Sequence, residues 1–128
     1  MIEIKIDEKA PLIILTVVVN SKIGKRRIGM VVDTGATYTI IPWDIAEALG
    51  YKPELSQEKI TIITASGIEI APLIKIDKIE VLGKEIKDVW VVCHDLPPQS
   101  GVKGLLGIDS LRRLKIQIDF NKNLLKVL

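Results

Sequence analysis

Apolar residues in this chain recur at every second position or in short unbroken blocks, the spacing of strands rather than of helices. Residues 2–6, Ile-Glu-Ile-Lys-Ile, alternate as a first strand, and Lys9-Ala10-Pro11 turns the chain. Residues 12–19 then form a second strand, apolar enough to be covered on both faces. The cluster Asn20-Ser21-Lys22-Ile23-Gly24 predicts a turn, and residues 27–32 a strand that ends at Asp33. Ile41-Pro42 opens a short helix, with Pro42 suited to its first position, Gly50 suited to stop it, and Ile45, Ala48 and Leu49 at helical spacing. Residues 59–64 and 68–70 are strand-like and are separated by the small turn Ala65-Ser66-Gly67. A strand at 74–81 turns at Gly83-Lys84 into 86–93, and Pro72 predicts an edge or a bend before it. Residues 94–103, with Pro97, Pro98 and Gly101, lack periodicity and predict a surface loop. Gly104-Leu105-Leu106-Gly107 is a second apolar segment bounded by glycines, after which Asp109 is suited to cap a helix through Leu114. Residues 115–120 alternate again, and Asn121-Lys122-Asn123 turns the chain into a last strand at 124–128, so apolar that as an exposed edge it would invite association. The pattern predicts a mostly β chain with two short helices and no internal repeat.

Composition sharpens this picture. The 128 residues suffice for one domain with a real core, expected to span 1–128, and are too few for two lobes. Hydrophobic residues make up 48% of the chain but aromatics only 4%, so the core must be built from Ile, Val and Leu, which favour strands. A net charge of +2, with both signs mixed along the chain, offers no basic stripe for nucleic acid; Lys25-Arg26-Arg27 reads as a solvated turn. The N-terminus lacks the apolar core of a signal peptide, and the 12–19 block is too short to cross a bilayer, so a soluble, cytoplasmic protein is expected. The single cysteine, Cys93, leaves no internal disulfide and no cysteine-rich metal site. His94 follows it directly, but neighbours on a strand point to opposite faces and do not form a nucleophile and base pair. No metal or other cofactor is expected.

The stretch with chemistry in it is Val31-Val32-Asp33-Thr34-Gly35-Ala36-Thr37. A carboxylate at the end of a buried strand has to be hydrogen-bonded or paired. Thr34 supplies a hydroxyl that both donates and accepts, and Gly35, lacking a Cβ, lets the backbone turn sharply and bring an amide to the acid. Asp33 is thus expected to be held in place.

Taken together, these residues resemble the retropepsin-like aspartic proteases, in the small single-domain form found in retroviruses and microbes. Asp33-Thr34-Gly35-Ala36 matches the family's catalytic turn, and the Ala65-Ser66-Gly67 hairpin lies where the family has its flap. Leu105-Leu106-Gly107 matches the two-apolar-plus-glycine segment, and a helix and a strand follow it, as they do in the family. The resemblance implies a small closed β-barrel with one or two short helices, assembled as a two-fold dimer. It implies Asp33 as the catalytic residue, supported by Thr34, Gly35 and Ala36. Thr37 and Tyr38 depart from the retroviral pattern, which has acidic residues there that bind the substrate backbone.

Aspartic protease chemistry needs two carboxylates against one water, and Asp33 alone among the aspartates is followed by Thr-Gly or Ser-Gly. A second copy is therefore expected to supply its own Asp33 across an isologous interface. Like charges ~4 Å apart at an effective dielectric of ~20 repel by roughly 4 kcal/mol, so one proton stays shared between the two, a general property of such paired aspartates. The expected activity is hydrolysis of an extended or unfolded polypeptide at a water held between the two Asp33 residues. The rival reading is a dimeric peptide-binding module of the same fold that performs no hydrolysis. A phosphorylated Asp33 is a poorer match, because no further acidic residues and lysine stand at the spacing a Mg²⁺ and phosphate site needs.

Overall fold

The computed structural model describes residues 1–64 and 66–128. Its strands are β1 (Ile2–Lys5), β2 (Ile14–Asn20), β3 (Lys25–Val32), β4 (Thr39–Ile41), β5 (Lys59–Thr64), β6 (Gly67–Val81), β7 (Lys84–Cys93), β8 (Gly104–Leu106), β9 (Ile116–Asp119) and β10 (Leu124–Val127). Helix α1 (Trp43–Ala48) follows β4, and α2 (Ile108–Leu114) follows β8. Hydrogen bonding runs in the order β2-β3-β8-β4-β7-β6-β5, and a further β2–β6 pairing closes the first six strands into a barrel. Of the strands of this sheet, β5 lies outside the closure and, among the described residues, pairs with β6 alone.

Closure explains how the strands are patterned. In β2, Leu15, Val17 and Val19 are buried while Ile14 and Thr16 are exposed, so the strand is covered on one face and not, as its composition suggested, on both. A barrel wall has one inside, and alternation decides which residues reach it. Isoleucines, valines and leucines fill that inside, Ile76, Ile79 and Val81 from β6 meeting Val89 and Val91 from β7. Lys25, Arg26 and Arg27 are solvated as expected, but as the first residues of β3 rather than as a turn.

β6 is one strand of 15 residues running straight through Pro72. Up to Pro72, opposite Lys59, it pairs with β5; from Leu73, opposite Val92, it pairs with β7. Proline has no amide to donate, and the change of partner is the place where none is needed. At its other end β6 turns into β7 through Leu82 and Gly83, both at positive φ (50° and 83°), the backbone that a two-residue hairpin requires.

Neither helix starts where the sequence suggested: α1 begins one position later and α2 two positions earlier. Pro42 is the N-cap of α1 rather than its first residue, and the helix buries Ala46 and Leu49 while Ala48 is exposed. Gly107 is the N-cap of α2, and Asp109 lies in the first turn, where its charge favours the helix N-terminus. The last strand also differs. Its apolar run suggested an exposed edge, but β10 is the middle of a three-stranded sheet, β1-β10-β9, with Leu125 and Val127 buried.

Candidate active site

Asp33 is delivered by β3 at the point where that strand runs parallel to β8, Val32 opposite Leu106. Its own amide donates to the Leu106 carbonyl at 3.0 Å. The carboxylate then turns back on the chain, Oδ1 accepting the Gly35 amide at 2.9 Å. A Cβ on Gly35 would sit 3.3 Å from that same oxygen, so glycine gives the amide its close approach. Ala36 N donates to the Asp33 carbonyl at 3.3 Å and completes the turn. Asp33 is half-buried and Thr34 exposed. The carboxylate is thus fixed and still within reach of solvent.

The turn rests on the start of α2. Ile108 N donates to Ala36 O at 2.8 Å, and Asp109 N to Thr37 O at 3.4 Å. Beneath it lies a hydroxyl that sequence reasoning missed, that of Thr39, fully buried. It donates to Asp109 Oδ1 at 2.9 Å, accepts from Gly107 N at 3.2 Å, and lies 2.6 Å from the Ser110 hydroxyl. The only signal was a threonine at an inward register of an otherwise apolar strand. Leu105-Leu106-Gly107 crosses here: Leu105 lies opposite both Val31 and Ile40, and Leu106 is fully buried. A Cβ on Gly107 would lie 2.5 Å from the Tyr38 carbonyl carbon and oxygen, and one on Gly104 would strike the Ile40 carbonyl oxygen. Glycine at both positions lets two backbones cross in contact.

Above the turn lies a cleft of about 1010 Å³. Gly35, Ala36, Thr37 and Tyr38 form one side; the β5–β6 hairpin overhangs it through Ile60, Ile62 and Glu69; residues 94–98 form the wall. Ser66 also borders the cleft and Gly67 opens β6 at φ 123°, whereas Ala65, at the predicted hairpin tip, lies outside the described residues. The wall was not foreseen as part of a site. It begins where His94 N donates to Ile41 O at 3.1 Å, and Asp95 Oδ1 accepts the Trp43 amide at 3.0 Å, tying the loop to α1. His94 Nδ1 stands 3.6 Å from Glu69 Oε2 across the cleft.

Cys93 takes no part in this chemistry. It is fully buried, and burial first, then the nearby charges of Asp95 and Glu47, push its thiol up to about 12. Such a thiol stays protonated and inert at neutral pH. Among the described residues no group of three or more His, Cys, Asp or Glu could hold a metal ion, and no helix is long and apolar enough to cross a membrane.

An acid held by its own glycine amide, beside a two-backbone crossing and under a hairpin, can now be set beside known proteins. The model of the family described as "gag-polyprotein putative aspartyl protease" matches residues 19–113. The chain belongs to this family. Among solved structures it is similar to a retropepsin-like aspartic protease from Rickettsia conorii, at 28% identity and a TM-score of 0.72, over 97% of this chain and 86% of that one. No curated protein matches it. The barrel is therefore a retropepsin-like fold and the protein an aspartic-type endopeptidase.

Proposed function

We propose that residues 1–128 form one protease domain that acts as a homodimer, cleaving extended polypeptide at a water held between the Asp33 carboxylates of two copies. The observation that carries this is the Gly35 amide on Asp33 Oδ1 at a half-exposed turn bordering the cleft. One Asp33, ionised, takes a proton from the water as its oxygen attacks the peptide carbonyl carbon; the other, protonated, donates to the carbonyl oxygen. The tetrahedral intermediate then breaks its C–N bond, the amine leaving with a proton from the dyad. Neither carboxylate becomes covalently attached. Thr34, Gly35 and Ala36 hold the dyad in geometry, Leu105-Leu106-Gly107 braces it, and the hairpin around Ala65, Ser66 and Gly67 serves as a flap over a substrate bound as an added strand.

The surface beside the turn supports the second copy. Exposed Thr34 borders a groove of about 460 Å³ lined by Ile108, Leu111, Ile116 and Ile118 together with Arg112 and Lys115, and β9 is an outer strand of its sheet. An apolar groove next to an outer strand fits a partner. Neither nucleic acid nor a membrane is needed, and a cytoplasmic location is in keeping with the one free thiol. The test is cleavage of denatured casein by purified protein, with Asp33→Asn alongside and sedimentation equilibrium on both. Wild-type cleavage by a dimer, absent in a folded Asp33→Asn dimer, is expected. Activity retained by Asp33→Asn, or by a monomer, would overturn the reading.

A further inference from the structure

We propose that Glu69 makes the cleft select polypeptides with a basic side chain at one position near the cut, an inference that rests on the cleft being the substrate site. Along β5 and β6, Ile62 and Glu69 are cross-strand partners, so isoleucine and carboxylate share the hairpin face that overhangs the cleft. Ile60, Ile62 and Val92 line the same cleft as Glu69 and give it apolar surface beside that exposed carboxylate. Apolar walls with one carboxylate match a lysine or arginine, whose methylene stem packs on hydrocarbon while the head reaches the charge.

The charge inventory points the same way. Among the described residues no lysine or arginine lines the cleft, although the chain carries a net charge of +2. Among the described residues, the one basic group within ion-pair distance of the Glu69 carboxylate is the imidazole of His94, at 3.6 Å. Asp95, whose Oδ1 is engaged by the Trp43 amide, adds negative field from the wall.

The experiment scans lysine against norleucine, one position at a time, through an otherwise apolar peptide at pH 7, reading the ratio of kcat/KM for each pair. In the wild type the ratio should reach about threefold to fivefold at one position, the discrimination expected of a contact with a carboxylate that is 45% exposed. Glu69→Gln should bring it close to one, and Glu69→Lys should create a preference for glutamate over glutamine there. Glu54→Gln, on an exposed turn outside the cleft, should leave the ratio as it was. Circular dichroism melts show that each variant is folded. A wild-type ratio near one at every position, or a lysine preference that survives Glu69→Gln, would overturn the assignment. Failure of the wild type to cleave any peptide or denatured casein would instead refute the protease reading beneath it.

Discussion

The crossing beneath Asp33 and the hairpin above it are made of similar residues and held in opposite ways. At the crossing, β3, β4, β8 and α2 bond to one another within a few residues, through Asp33 N, Gly107 N, Ile108 N and the Thr39 hydroxyl. In the hairpin, β5 has one partner strand, and Ile63, Ile68 and Ile70 are 85%, 74% and 72% exposed. Burying an isoleucine is worth about 1.5–3 kcal/mol, stabilisation that the hairpin forgoes at three positions. A region bonded from several elements holds one geometry, whereas one bonded from a single side opens at low cost. Catalysis by a dyad needs the first property, and admitting a polypeptide needs the second.

The largest effect that separates the two regions should come from Asp33→Asn. An amide cannot take the proton from water, so kcat should fall by about 10²- to 10⁴-fold. The fold should be kept, since an Asn oxygen can still accept the Gly35 amide that Oδ1 accepts now. Casein cleavage read beside a melting curve checks both halves; a protein that fails to fold would mean that the charge itself holds the crossing together.

Gly107→Ala tests the crossing itself, leaving the Asp33 carboxylate unchanged. Its Cβ would lie 2.5 Å from the Tyr38 carbonyl and 2.9 Å from the Thr39 amide nitrogen, both backbone atoms that cannot swing aside as a side chain would. Destabilisation of about 3 kcal/mol, a fall in Tm of roughly 10 °C, is expected from urea and thermal unfolding. Thr39→Val comes next: it strips a buried hydroxyl from three polar neighbours while keeping the shape, at a cost of about 2 kcal/mol. A Tm unchanged by either substitution would mean that the floor is no better fixed than the hairpin.

How legible these regions were in the sequence follows from the range of the interactions. Strand periodicity, the Asp33-Thr34-Gly35 turn and the glycine-bounded 104–107 segment are local signals, and each appears where it was expected. Thr39 and Ser110 meet from 71 residues apart, and Glu69 meets His94 only because the barrel folds the hairpin over the wall. No local rule marks such pairs. The last strand misled for the same reason: apolar alternation says that a face is buried without saying by what, and β1 and β9 take both sides of β10. Pro72 was read as an edge or a bend because a change of partner looks like either in one dimension.

The smallest and most local of these effects should be seen at Gly67, where β6 begins. Its φ is 123°, a backbone that β-branched residues resist, and a Cβ built there meets nothing within 4 Å. Gly67→Val therefore strains the hairpin without colliding with the body of the protein, at a local cost of about 1–2 kcal/mol. Because the hairpin is bonded from one side, that strain should be absorbed by opening it rather than by unfolding the barrel. Turnover, which requires the hairpin to lie over the substrate, should then drop by about fivefold to tenfold, with Tm lowered by less than about 2 °C. Gly107→Ala should give the reverse pattern, a large loss of Tm. If Gly67→Val cleaves casein at the wild-type rate, the hairpin does not act in catalysis; if it lowers Tm as far as Gly107→Ala does, hairpin and crossing form one cooperative unit and the contrast between them is lost.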